Sequence, residues 1–430
     1  MLNEKKKFNY SWVIIALSFL IVGLSLGFCS SGRTLYLTAI TDALNIGRGA
    51  FSLNDTFRFA TMTVVNIFFG TLVNKFGIKK LVCAGFICLI SFAIINSLAE
   101  ELWLFYIAGI LLGIGLAWTG TTMVGAVLNI WCKEENKGKI TGIVLSANGL
   151  FGAIAVQIIS PIIYQEGNPF GYRDSYRLVA IILAVILVLV IIFFRDRPKG
   201  AQKTIITKKT KKARGRGWVG MEYKDVLKKP YFYLSCVCLA FTGMALQGLG
   251  GIATPHMYDV GLSKPLVATI SSCSSIIMMG SKILVGFMYD KKGIRLTMNI
   301  CFICSIISTI GLILISNTDM GIIIAFARVI FAAIALPLET VMLPLYASEL
   351  FGNKSFLLVL GVFSSANYAG YAVGAPLGNL IYDVSGSYNV AFIIFGSLML
   401  FVTITMQYVV KKSRQDRALI ESKENNACEI

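Results

Sequence analysis

The sequence predicts an all-α membrane protein of twelve transmembrane helices in two pseudo-symmetric six-helix halves. Three observations carry this. Hydrophobic residues make up 56% of the 430 residues and charged residues only 14%, against roughly 25% charged in a soluble domain. Apolar runs of about 20 residues, the length that crosses a bilayer, recur along the whole chain. Two turns of one design, Gly70 to Lys80 and Gly286 to Arg295, start 216 positions apart (286 − 70 = 216), close to half the chain.

The chain opens on a basic head, residues 1–9, with Lys5, Lys6 and Lys7. The first span follows at about 12–37. Its apolar run is too long for a signal peptide and more spans follow, so it is read as a retained helix. Spans near 53–73, 81–99, 103–131, 140–164 and 175–194 complete an N-terminal half, residues 1–194. Residues 195–229 carry 13 Lys and Arg and form a solvated linker, a candidate surface for anionic lipid headgroups. The second half, residues 230–410, has spans near 231–258, 264–289, 296–315, 320–348, 354–381 and 389–410. Residues 411–430 are read as a cytoplasmic tail.

Orientation follows from the loops. With the N-terminus inside, cytoplasmic segments hold 31 of the 39 Lys and Arg residues, as the positive-inside rule requires. The net charge of +17 therefore records topology and is no sign of a nucleic-acid partner. A multi-pass protein of the cytoplasmic membrane, with both termini inside, is expected. The repeat also extends past the turns: GIVLSAN (Gly142 to Asn148) and GVFSSAN (Gly361 to Asn367) fall in the fifth and eleventh spans. Paired halves of this kind place a substrate site between them near the bilayer midplane.

The two charged turns resemble the signature loop of the major facilitator superfamily, which joins helices 2 and 3 and again helices 8 and 9. Gly70, Asn74 and Gly77 carry the first copy; Gly286, Asp290, Gly293 and Arg295 carry the second. The first has Asn74 where the acid belongs. The resemblance covers essentially the whole chain and implies alternating access, with these residues at the conformational switch. Trp131-Cys132 followed by Lys137 to Ile143, and Glu349 to Gly352, resemble the oxalate/formate antiporter and monocarboxylate transporter branch. There a cation on helix 8, four residues before a glycine, holds the substrate carboxylate. Lys282, four before Gly286, stands at that position. The second cation that oxalate transporters carry on helix 11 is replaced by Asn367, which implies one carboxylate rather than two. Monocarboxylate transporters often have an acid one turn before the helix 8 cation; here it is Met278.

The residues agree with a role for Lys282. A lone lysine in a lipid-facing helix is costly, so intramembrane ionisable groups face a cavity or a partner. Lys282 lies roughly 12 Å along the helix from Asp290, too deep for easy snorkelling, and shares a stripe with Ser271, Ser275 and Met278. Three further cations fall within spans. Arg33, beside Tyr36 near the outer end of helix 1, either receives substrate or anchors at headgroups. Arg58 is one turn from Asp55 and is read as a local ion pair. Arg328, in the outer half of helix 10, is structural or a substrate ligand. Glu339, bracketed by Pro337 and Pro344, carries the coupling proton or has a structural partner. Asn66, Asn148, Gln157, Gln247 and Asn367 line the path or bond helices together.

Ten cysteines, most of them in apolar helices, and one histidine make no zinc-like cluster. Neither a phosphate-binding Gly-rich loop with Lys-Ser/Thr nor a nucleophile elbow is present. No cofactor and no enzymatic activity are expected. The expected function is secondary transport of a small organic anion by a monomer embedded in the bilayer, by antiport or proton symport. Alternatives are a carrier for a neutral solute or drug and a non-transporting sensor. Four intramembrane cations against one acid speak against a cationic substrate, and a short tail speaks against a sensor.

Overall fold

The computed structural model describes residues 10–31, 33–132, 134–165, 168–196 and 220–426. Most of the basic linker, residues 197–219, and the lysines of the head lie outside them. Among the described residues eleven helices are long and apolar enough to cross a membrane, and a bent pair in the second span makes twelve. The spans are Ser11–Ser30, Leu53–Ile67 with Phe69–Phe76, Ile78–Leu98, Leu102–Trp131, Lys137–Ile163 and Gly171–Phe193, then Pro230–Asp259, Thr269–Lys292, Ile294–Leu314, Asp319–Leu338, Phe356–Ser385 and Asn389–Ile420.

Several spans break where the sequence weakens backbone bonding. The first continues as a π-helical stretch, Gly23–Ser31, where Gly23 and Gly27 face Phe151 of the fifth span. The second bends by 60° just after two side chains bond to carbonyls one turn back, Thr63 to Phe59 (2.9 Å) and Asn66 to Met62 (2.7 Å), a pattern that bends helices. The tenth ends as an α-helix at Ala335 and passes through a 3-10 turn, Leu336–Leu338, before Met342–Phe351. Pro337, which has no N–H to donate, sits in that turn.

The twelfth helix runs on to Asn426, beyond the span end expected near residue 410. The charged residues that end the apolar run are good helix formers, and neighbours hold the extension in place. Ser413 donates to the Leu350 carbonyl at 2.7 Å, and Asp416 accepts from Tyr231 at 3.1 Å and pairs with Lys229 at 2.6 Å.

The two halves meet along two seams, fifth span against eighth and second against eleventh. Both are lined by glycine at the end of the molecule that carries the charged turns, here the basic end. A Cβ on Gly142 would collide with the Lys282 carbonyl oxygen, and one on Gly361 would stand 2.6 Å from the Asn66 carbonyl oxygen. Gly138 faces Gly286, and Gly70 faces the backbone of Leu357 and Leu358. Missing side chains let helix backbones touch, so the halves are closed at the basic end. Toward the other end Ile158, Ile276 and Val384, on three of these four spans, are exposed.

Candidate functional site

Between the halves lies a cavity of about 230 Å³. Its polar lining comes from Ser30, Arg58, Thr121 and Asn148 of the first half and from Gln247, Lys282, Glu339, Thr340, Tyr368 and Tyr371 of the second; Leu26, Phe59, Met62, Leu116, Met278 and Leu336 supply apolar wall. Glycine explains why Lys282 is so deeply placed. With Gly142 pressed on its backbone, the side chain is only 3% exposed, and its Nζ donates to the Leu145 carbonyl at 3.2 Å. A primary ammonium has three donors, so one carbonyl leaves capacity for an anion.

Glu339 lies on the same cavity, 5% exposed. Its Oε2 accepts from the Tyr371 hydroxyl at 2.8 Å, and its Oε1 is buried without a hydrogen-bond partner. Among the described residues neither Lys282 nor Glu339 forms an ion pair. Arg58 differs. Its guanidinium pairs with Asp55 at 2.9 Å, donates to Ser30 Oγ at 3.0 Å and lies 4.2 Å from the centre of the Phe59 ring. The local ion pair is present, and Arg58 also lines the cavity, a placement that helix spacing alone does not reveal.

Other expected site residues are elsewhere. The Arg33 side chain lies outside the described residues. Tyr36, expected beside the substrate, is packed inside the first half: its hydroxyl meets Ser175 Oγ at 2.6 Å and its ring stacks on Tyr176 at 4.1 Å. Asn367 is 2% exposed and donates to the Leu239 carbonyl at 3.2 Å, bonding the eleventh span to the seventh. It is interhelical glue, because its position faces the close helix contact around Gly243. Arg328 lines a second cavity, not this one.

At the basic end the second turn reaches across to the first half. Asp290 Oδ1 accepts from the Gly138 N–H at 2.9 Å and Oδ2 from the Lys139 N–H at 2.7 Å. A carboxylate on the free N–H groups at the start of the fifth span is favoured by both hydrogen bonding and the helix dipole. The signature turn and the Lys137-Gly138-Lys139 motif are therefore two sides of one contact. Gly77 and Gly293 close their turns with positive φ, +83° and +76°, where a side chain would be strained. Asn74 is exposed and makes no hydrogen bond across the seam among the described residues, while Arg295 donates to Gln407 Oε1 at 3.1 Å within the second half.

The family model described as Major Facilitator Superfamily matches residues 15–356. The uncharacterized MFS-type transporter YcxA of Bacillus subtilis (strain 168) is 21% identical over 387 residues, 88% of this chain and 90% of its own length. The sialic acid transporter NanX of Escherichia coli (strain K12) is 22% identical over 63% of this chain and 64% of its own. Monocarboxylate transporter 12 of Rattus norvegicus is 20% identical over 76% and 70%. Among solved structures, the proton:xylose symporter XylE bound to 6-bromo-6-deoxy-D-glucose superposes with a TM-score of 0.72 at 14% identity, covering 94% of this chain and 97% of that one.

Proposed function

The chain belongs to the major facilitator superfamily, and from that premise we propose that it is a secondary carrier of a monocarboxylate, moved by alternating access together with a proton. One observation carries the reading: Lys282 is a buried ammonium on the cavity between the halves, with a single carbonyl as partner among the described residues. A buried charge without a counter-ion is costly, and a substrate carboxylate supplies one. The names of two relatives, a sialic acid transporter and a monocarboxylate transporter, are in keeping with an acid as substrate.

Charge balance selects the coupling. Asp55 compensates Arg58, so the remaining charge in the cavity depends on Lys282 and Glu339. With Glu339 ionised the two cancel, and an arriving anion is repelled by the acid. With Glu339 protonated the site holds one net positive charge, which one carboxylate neutralises. Proton and monoanion therefore favour each other's binding, a reciprocal coupling, and the loaded site is electroneutral. Tyr371 holds one oxygen of Glu339 and leaves the other free to carry the proton. A dicarboxylate such as oxalate would bring a second charge with no free cation to meet it.

The Lys and Arg distribution supports a cytoplasmic basic end, hence both termini inside the cytoplasmic membrane and a cavity that faces outward in this conformation. The carrier acts as a monomer, with the basic linker toward anionic lipid. Uptake into proteoliposomes from a panel of labelled formate, lactate, oxalate and neutral sugars, with and without an inward proton gradient, tests the proposal. Monocarboxylate uptake driven by the gradient is expected. Transport of neutral solutes alone, or of oxalate with every monocarboxylate inert, contradicts it.

A further inference from the structure

A second cavity, of about 220 Å³, lies wholly within the second half, between the seventh, eighth, ninth and tenth spans. Arg328 projects into it, with Thr254, Ser271, Ser274, Ser305 and Ser308 among the lining and no carboxylate among the described residues that border it. We infer that this cavity is a second anion site, in which Arg328 and the surrounding hydroxyls hold one small monovalent anion.

Three observations converge. Arg328 makes no ion pair or hydrogen bond among the described residues, and its Nε is buried without a partner. Ser305 Oγ, on the facing helix and lining the same cavity, is also buried and unpartnered. Two unmet polar groups from different helices on one void mark a missing ligand, since buried polar groups are nearly always satisfied. The arginine is also placed by design of the neighbouring helix. Gly311 faces its stem, where a Cβ would stand 3.1 Å from Arg328 Cβ.

Snorkelling does not remove the need for a partner. Arg328 is nine residues inside the helix that begins at Asp319, about 14 Å along its axis. A guanidinium at that depth is costly without a counter-ion. One cation and no acid fix the ligand as a monovalent anion, and the fixed fork of guanidinium donors suits a carboxylate as well as a halide. The remaining lining, including Leu246, Leu249 and Val329, is apolar and offers nothing to a second charge. Arg328 and Glu339 are eleven residues apart, about 16 Å along the tenth span, and Leu336 borders both cavities. The site is thus separate from the Lys282 cavity and independent of what that cavity transports.

Chloride and a short carboxylate share the required chemistry. The full-length protein in detergent is titrated with sodium chloride or sodium formate, a bulky sulfonate serving as the balancing anion, and the thermal unfolding midpoint is followed. A saturable rise is expected in the wild type and in Lys282→Gln, where the central anchor is gone. Arg328→Gln is expected to lose it, and Arg328→Lys to keep part of it. Should Arg328→Gln fail to fold, Ser305→Leu, which fills the cavity, takes its place. Response to chloride alone assigns a resident inorganic ion, and response to formate as well assigns a carboxylate site; either supports the inference. No saturable rise in any arm, or a rise as large in the Arg328→Gln or Ser305→Leu protein as in the wild type, overturns it. Loss of the rise in Lys282→Gln alone also overturns it, by assigning the effect to the central cavity.

Discussion

Lys282 and Asn66 stand at the same place in the two repeats (282 − 66 = 216), yet they meet opposite fates. Each offers its backbone carbonyl to a glycine of the facing half, Gly142 for Lys282 and Gly361 for Asn66. The side chains differ. Lys282 reaches the central cavity as a cation, while the Asn66 amide turns back onto the Met62 carbonyl. About two turns further on the contrast repeats. Asp290 holds the start of the fifth span by two backbone N–H groups, and its counterpart Asn74 is an exposed amide. The close packing of the two seams is common to both halves, whereas the cavity lysine and the carboxylate that crosses a seam stand in the second half.

If packing is symmetric, breaking either seam is equally damaging, and this is the largest effect expected. Gly142→Val and Gly361→Val each put a branched side chain against a backbone carbonyl, a clash no rotamer relieves. Both variants are expected to bring proteoliposome uptake to background while the proteins still purify as folded monomers. Normal transport by one and none by the other would show that the seams are not equivalent.

Glu339→Gln comes next and acts only on the second half's charge. A permanently neutral side chain mimics the protonated acid, so exchange of internal for external monocarboxylate is expected to persist. Accumulation driven by a proton gradient is expected to vanish. Gradient-driven accumulation equal to the wild type would remove Glu339 from the coupling.

The latch gives two smaller effects of opposite sense. Asp290→Asn replaces a charged acceptor by a neutral one, worth about 1 kcal/mol, so closure at the basic end weakens roughly fivefold. Turnover is expected to change more than substrate affinity, as read from initial rates against saturating and limiting substrate. Asn74→Asp restores an acid where the eleventh span begins and adds a dipole interaction of about 0.3–1 kcal/mol. Up to roughly fivefold stronger basic-end closure is expected, seen as slower turnover with unchanged affinity. Faster turnover in this variant would argue against a latch role for these turns.

Much of this was legible in the sequence. Apolar run length set the spans, the loop charges set the basic end, and the depth of Lys282 in its helix marked it as a cation that faces a cavity. What helix periodicity did not tell was the direction of polar side chains, because a membrane helix is apolar on nearly every face. Tyr36 and Asn367 look like path residues in the sequence, but their partners, Ser175 and the Leu239 carbonyl, lie on distant spans. Arg58 next to Asp55 reads as a local pair, and its second aspect, toward the cavity, comes only with the packing of the two halves. Asp290 and Lys137-Gly138-Lys139 were both visible as motifs. Their contact joins residues about 150 positions apart, which only the packing of the two halves reveals.

The central claim is that Lys282 carries the substrate carboxylate, and counterflow tests it without any driving force. Proteoliposomes loaded with unlabelled lactate are diluted into trace labelled lactate, and transient accumulation is followed for wild type, Lys282→Ala and Lys282→Arg. Removing one partner of a buried charge pair costs at least about 2–3 kcal/mol, on the order of 100-fold in affinity. The alanine variant is therefore expected to show no counterflow while remaining folded, and the arginine variant to keep part of it. Counterflow by Lys282→Ala at the wild-type rate would contradict the account.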